Sequence, residues 1–342
     1  KLILLLVILR LVELPLTYIL HFHLNGYDGT FFEVQRIWLD FYHVETAFPL
    51  YGYVSNLFWV FTFNFNHARF ISSYVFTAIA GAALYYYVQV DFDRKTARRA
   101  VRYFFFLPIS CLLMGTVPDG LFLVLSIGCL LFLRKRMYIV ANVFAMLATL
   151  THALGALLFF PILLEYTVFV VNNVRSNREM GKGYIPKQIF NALSFLLVPI
   201  GIGLVLLYAF LRFGDPLALY RASAQAYGTA PTAFSDALFD WFDRIFDATR
   251  VIGSDTVVKL IATALPQLLY LILGCLMILL GSERIRTSHV LLILLSVVAI
   301  VCSNSMDTAA RYLTMTAPFT VVLSVRVKRG WVDAVLTGLF II

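Results

Sequence analysis

The chain has 342 residues, 61% of them hydrophobic and 13% charged, with a mean hydropathy of +0.85. Soluble domains are about 45 to 50% apolar and about 25% charged, so this composition excludes one and indicates an integral membrane protein. The formal charge of +8 is dispersed in short Lys and Arg clusters between apolar runs. That pattern excludes a continuous nucleic-acid-binding face and reads as a set of topology signals.

Taken in chain order, residues 2–20 are apolar and, if Lys1 is a true start, read as a first span, since no small-residue cleavage site follows them. The stretch 22–48 follows, carrying Asp28, Glu33, Asp40 and Glu45 with Arg36 and His43. Phe31, Phe32, Ile37, Trp38, Phe41 and Tyr42 predict an interfacial helix with an aromatic belt, and Glu33, Asp40 and Glu45 form its wet face. Asp28 stands apart, because Gly26 and Gly29 flank Tyr27-Asp28 and permit close approach of a ligand to the backbone. An acid at the rim of a membrane cavity is a candidate general base, since partial desolvation raises its pKa toward the working range. A helix cap is the plainer role for the same residue.

Residues 49–65 and 70–90 are the next apolar runs, ahead of a basic cluster of Arg94, Lys95, Arg98, Arg99 and Arg102. Four more clusters follow: Arg134 to Arg136; Arg175, Arg178, Lys182 and Lys187; Arg284 and Arg286; and Arg326, Lys328 and Arg329. The positive-inside rule puts all five on the cytoplasmic face. The span count then leaves two alternatives: either 49–65 lies shallow without crossing, or the first cluster is an exception to the rule.

Segments 103–133 and 137–171 both begin and end at basic clusters, and neither is long enough for two full crossings of about 20 residues each. They predict hairpins of short helices that turn at Thr116-Val117-Pro118-Asp119-Gly120 and at Thr151-His152-Ala153-Leu154-Gly155. Irregular backbone at membrane depth is tolerated only against protein or a watery cavity. Both turns are therefore expected to face a cavity near the outer side.

Beyond them, 189–211 exits, 212–255 lies outside, 257–280 returns, 289–302 exits, 303–311 lies outside and 312–325 returns. In the long outer loop, Phe234, Ala237, Leu238, Trp241, Phe242, Ile245 and Phe246 recur at helical spacing opposite Asp236, Asp240, Asp243 and Asp247. This predicts an amphipathic helix on the membrane surface. Cys111, Cys129, Cys275 and Cys302 sit in apolar runs without paired spacing, so no disulfide frame or metal site is indicated. Arg311, just outside a span, is the leading cationic candidate on the outer side, with His152 and Arg221 behind it. A snorkelling anchor is the alternative for Arg311. Asp119, at a hairpin tip, is a candidate to orient an acceptor, hold a metal or cap the next helix.

Six strings in order carry a resemblance to a known family. They are Tyr27-Asp28; Thr46-Ala47-Phe48-Pro49-Leu50-Tyr51; Leu107-Pro108 followed by Val117-Pro118-Asp119 and Leu121-Phe122-Leu123; Leu150-Thr151-His152-Ala153-Leu154-Gly155; Phe213-Gly214-Asp215-Pro216-Leu217; and Arg311-Tyr312-Leu313. Their succession over nearly the whole chain resembles the GPI mannosyltransferase 2 (PIG-V) family and its bacterial relatives, within the GT-C class of polytopic glycosyltransferases. Tyr27 stands where that family has Trp, Asp119 where it has Glu, and His152-Ala153 where it has Arg-Pro.

The resemblance implies one all-α GT-C-type bundle over 1–342, with roughly 9 to 12 transmembrane or half-membrane helices and interfacial helices on the outer face. Its outer loops would be 22–48, 212–255 and 303–311. It implies transfer of a sugar, most simply mannose, from a polyprenyl-phosphate donor to a glycolipid or glycan acceptor at the outer face. A bacterial plasma membrane fits better than the endoplasmic reticulum. Asp28 would be the base of an inverting displacement, and Tyr27, Asp119, His152, Arg221, Arg311 and Tyr312 would bind substrate, with no metal or other cofactor required. Two other classes remain open: a polytopic lipid or solute transporter or flippase, which also uses broken helices and buried charge, and an inactive scaffold of the same fold.

Overall fold

Helices account for every element among the described residues of the computed structural model, which are 48–106, 118–175, 184–221, 233–240, 243, 265–281, 285–303, 309–327, 330, 331, 333 and 334. The first three are α1 (Pro49–Thr62), α2 (Phe65–Asp91) and α3 (Arg94–Phe106). Next come α4 (Asp119–Arg134), α5 (Tyr138–Thr149) and a 3-10 helix (Ala153–Leu158) that runs into α6 (Phe159–Arg175). Helix α7 (Tyr184–Leu193) continues through a 3-10 turn (Ser194–Leu196) into α8 (Leu197–Phe213). Then follow α9 (Leu265–Gly281), α10 (Thr287–Cys302), α11 (Ala309–Met315) and α12 (Ala317–Arg326).

Three stretches, His67–Asp91, Ala153–Arg175 and Lys187–Phe213, are long and apolar enough to cross a membrane. Shorter apolar helices accompany them at Tyr138–Thr149, Gln267–Leu279, Thr287–Cys302 and Ala317–Arg326. Large apolar side chains point outward from several of these helices, among them Leu207, Phe210 and Leu211 on α8 and Leu276 and Leu279 on α9. Hydrocarbon accepts such a surface and water does not.

Charge sorts the helix ends. Asp91, closing α2, pairs with Arg134 at the end of α4 and lies 3.5 Å from Arg286 ahead of α10. Arg286 also donates to Glu165 of α6 at 3.0 Å, and the Ser288 hydroxyl donates to the other Glu165 oxygen at 2.6 Å. The Tyr166 hydroxyl donates to the Gln188 carbonyl, which brings the start of α7 alongside. On α3, Arg99 donates to the carbonyls of Ser324 and Val327, while Arg102 and Tyr103 both donate to Asp333. The described members of the five basic clusters thus share one end of the bundle.

Helix α1 lies against the other end of α2. The Tyr51 hydroxyl donates to the Arg69 carbonyl at 3.1 Å and lies 2.7 Å from Ser73 Oγ, and Phe58 meets Phe76 edge-on. With 14 residues, α1 extends about 21 Å, and the partners given for it on α2 lie far from Asp91.

Helices α2 and α4 pack tightly at Gly120. A Cβ there would sit 2.7 Å from both the Ser73 carbonyl oxygen and Thr77 Oγ1. Only glycine permits that approach.

Several boundaries depart from the sequence reading. The segment read as one crossing over 189–211 is interrupted by the 3-10 turn, which Asn142 supports by donating to Ser194 Oγ at 2.9 Å. The segment 312–325 is two helices parted at Thr316, because Pro318 in the first turn of α12 cannot donate to a preceding turn. Residues 107–117 of the hairpin expected over 103–133 lie outside the described residues, and Tyr103 lies within α3, which starts in the basic cluster. There Asp93 accepts from the Thr96 hydroxyl and the Lys95 N–H, and the Thr96 bond holds its carboxyl below the ordinary value. Within the proposed surface helix, 234–240 is helical, with Ala237 buried and Asp236 and Asp240 exposed.

Candidate functional site

The end of the bundle opposite the basic clusters is built from the start of α4, the turn at His152 and the short helix α11. Helix α4 starts directly after Pro118, which supplies no side-chain cap. Asp119, in its first turn, is fully buried, yet its carboxylate does not cap the helix. Instead Oδ2 accepts from Arg311 Nε at 2.6 Å and Oδ1 from Arg311 Nη2 at 2.7 Å. This is a two-pronged carboxylate–guanidinium pair between residues 192 apart in sequence. Arg311 sits on the short helix α11, whose Ala310 N–H donates to Gln267 of α9 at 2.8 Å. Its side chain is only 15% exposed, which removes the snorkelling reading.

His152 occupies the turn between α5 and the 3-10 helix. Its Nδ1 accepts from the Leu154 N–H at 3.1 Å, capping that helix. The bond needs a lone pair on Nδ1, so the ring is neutral with its proton assigned to Nε2. The imidazole stands 5.4 Å from the ring of Phe122, 5.4 Å from Tyr312 and 6.3 Å from Phe48, with which it stacks. The Leu50 N–H donates to the Leu150 carbonyl at 3.1 Å and ties the start of α1 to this turn. At Gly155 a Cβ would lie 2.3 Å from Thr149 N, so the turn closes only around glycine.

Four residues singled out by sequence therefore gather: Asp119, His152, Arg311 and Tyr312. Arg221 is not among them. Its guanidinium pairs with Asp215 at 2.8 Å on an exposed turn, and Asp215 also accepts from the Leu217 N–H. A surface pair of this kind contributes about 1 kcal/mol at most. Tyr27 and Asp28, the candidate base, lie outside the described residues. Phe48, Phe122 and Gln267 complete the surroundings and were not assigned by the sequence reading. Phe48 and Phe122 do fall inside two of the strings that carry the resemblance, which was the available signal.

Behind Phe122 and Leu154 is a gap of about 10 Å³ that reaches Ser126, Ser296 and Thr316. It is about the size of one water. Among the described residues, no three His, Cys, Asp or Glu side chains gather into a metal-ligating group. No protein-family model matches the chain, and no curated protein matches it.

The chemistry open to the cluster follows from its donors. A guanidinium has five N–H groups, and Asp119 engages two of them, fixing its plane. Next to it stand a neutral imidazole with an N–H at Nε2 and a phenol. An oriented cation with neutral donors beside it suits a phosphate oxygen.

Proposed function

We propose that the chain is a GT-C-type membrane glycosyltransferase. In this reading it moves a sugar, most simply mannose, from a polyprenyl-phosphate carrier to a lipid-linked or glycan acceptor. The reaction takes place at the Arg311 end of the bundle, on the extracytoplasmic face of a bacterial plasma membrane. The observation that carries the reading is the convergence of Asp119, His152 and Arg311-Tyr312, which come from three separate strings of the resemblance.

In an inverting displacement the acceptor hydroxyl attacks the anomeric carbon and gives its proton to the Asp28 carboxylate. The polyprenyl phosphate departs with the electrons of the glycosidic bond. Arg311 and the His152 N–H stabilise the charge that grows on the leaving phosphate, and each such donor contributes about 10² to 10³ in rate. Asp119 acts through Arg311 as a positioning residue. It holds the guanidinium plane so that no reorganisation is needed in the transition state.

The test is incorporation of label from polyprenyl-phosphate mannose in membranes that contain the protein. Incorporation that disappears in Asp28→Asn supports the reading, and unchanged incorporation in that variant removes Asp28 as the base. No incorporation from any polyprenyl-linked sugar would favour a transporter or an inactive scaffold.

A further inference from the structure

At the basic end, between α6 and the start of α10, the described residues line a cavity of about 470 Å³. That volume is in the range of small-molecule sites. Arg134, Arg136 and Arg286 reach it, with Glu165 as the acid on its wall. The Glu165 oxygens are already engaged by Arg286 and Ser288, and Asp91 holds Arg134. Arg136 has no acidic partner among the described residues; its guanidinium lies 4.8 Å over the Phe169 ring. The lining thus presents a surplus of positive charge concentrated at one side chain.

Two further observations bear on what the cavity takes. Arg136 has a φ of +58°, the left-handed region that glycine or asparagine enters far more readily. This residue follows α4 in a helix-terminal turn, where the Met137 N–H donates to the Phe132 carbonyl at 3.0 Å, and the turn leaves its guanidinium at the cavity. Moreover, one wall is apolar: Leu164 and Val168 lie one turn apart on α6, and Val168 is 50% exposed on the outer surface of the bundle. A free anion has no use for such a wall, whereas an amphiphile does.

We propose that this cavity binds the phosphate headgroup of an anionic membrane lipid, with the phosphate on Arg136 and the acyl chains leaving along Leu164 and Val168. Basic pockets between helices at the cytoplasmic interface suit such headgroups. The site lies at the opposite end from Arg311 and requires only that the chain sits in a membrane, so it stands apart from the glycosyl-transfer reading.

The experiment is native mass spectrometry of the full chain in neutral detergent, titrated with phosphatidylglycerol or with phosphatidylcholine. The wild-type protein retains phosphatidylglycerol in preference to phosphatidylcholine. Arg136→Gln weakens that retention about fivefold, the effect of one surface cation. Lys135→Gln removes the neighbouring exposed charge, whose ammonium sits over Phe132 and away from the cavity, and changes retention by under about twofold. Equal retention of the two lipids would overturn the proposal, and so would equal losses in the two variants. Displacement of the lipid by inorganic phosphate at matched concentration would overturn it in favour of a free-anion site. The wild-type comparisons need no variant to fold.

Discussion

Asp119→Asn tests the pair at the centre of the candidate site. The substitution keeps the volume and one acceptor oxygen but removes the charge and turns amide hydrogens toward a guanidinium that has only hydrogens to offer. Removing one partner of a buried pair costs about 3 to 5 kcal/mol, because the other charge is left uncompensated. Arg311 retains 15% exposure and therefore some access to water, so the lower end, about 3 kcal/mol, is expected. Arg311→Gln leaves Asp119 fully buried without its cation and costs at least as much. In the double variant two neutral amides face each other and can share hydrogen bonds. Its loss is therefore expected to be close to that of one single variant, a coupling of about 2 kcal/mol or more. Equilibrium unfolding of the four proteins in mixed micelles measures this cycle. Additive losses, with coupling below about 0.5 kcal/mol, would refute the pairing.

Close packing of α2 and α4 predicts that Gly120→Ala destabilises by about 1 to 3 kcal/mol in the same unfolding assay. Gly203→Ala, where an added Cβ meets nothing within 4 Å, is expected to be neutral or stabilising by up to about 1 kcal/mol. Tyr51→Phe removes the hydroxyl that links α1 to Arg69 and Ser73 and is expected to cost about 1 kcal/mol, read by the same denaturant titration. Arg311→Lys keeps the charge but loses the fork that meets Asp119. It should lower sugar incorporation by about 10² while destabilising less than Arg311→Gln.

The helical class, the basic clusters and the turn at His152 were legible because each leaves a local mark: an apolar run, a group of Lys and Arg, or a Gly between spans. Where the basic segments meet was also legible, since a single rule governs them all. The partners were not. Nothing in the spacing of Asp119 and Arg311 joins residues 192 apart, and nothing in the apolar run of α2 shows that its closing Asp91 will hold both Arg134 and Arg286. These pairings are set by how helices cross, which periodicity does not encode. The break at Ser194–Leu196 left no mark, because both flanks are equally apolar, whereas Pro318 was the available signal for the one at Thr316. His152 was singled out for its charge, and the structure uses it as a neutral cap among aromatic rings.

The central claim is that the donor phosphate is held at the Arg311 end of the bundle. A photoreactive polyprenyl-phosphate sugar, crosslinked to the protein in the presence of excess phosphatidylglycerol and mapped by peptide mass spectrometry, tests it most directly. The account predicts labelled peptides that contain Asp119 and Phe122, His152, or Arg311 and Tyr312. Label confined to peptides with Arg134 to Tyr138 or Arg286 to Ser288 would contradict it.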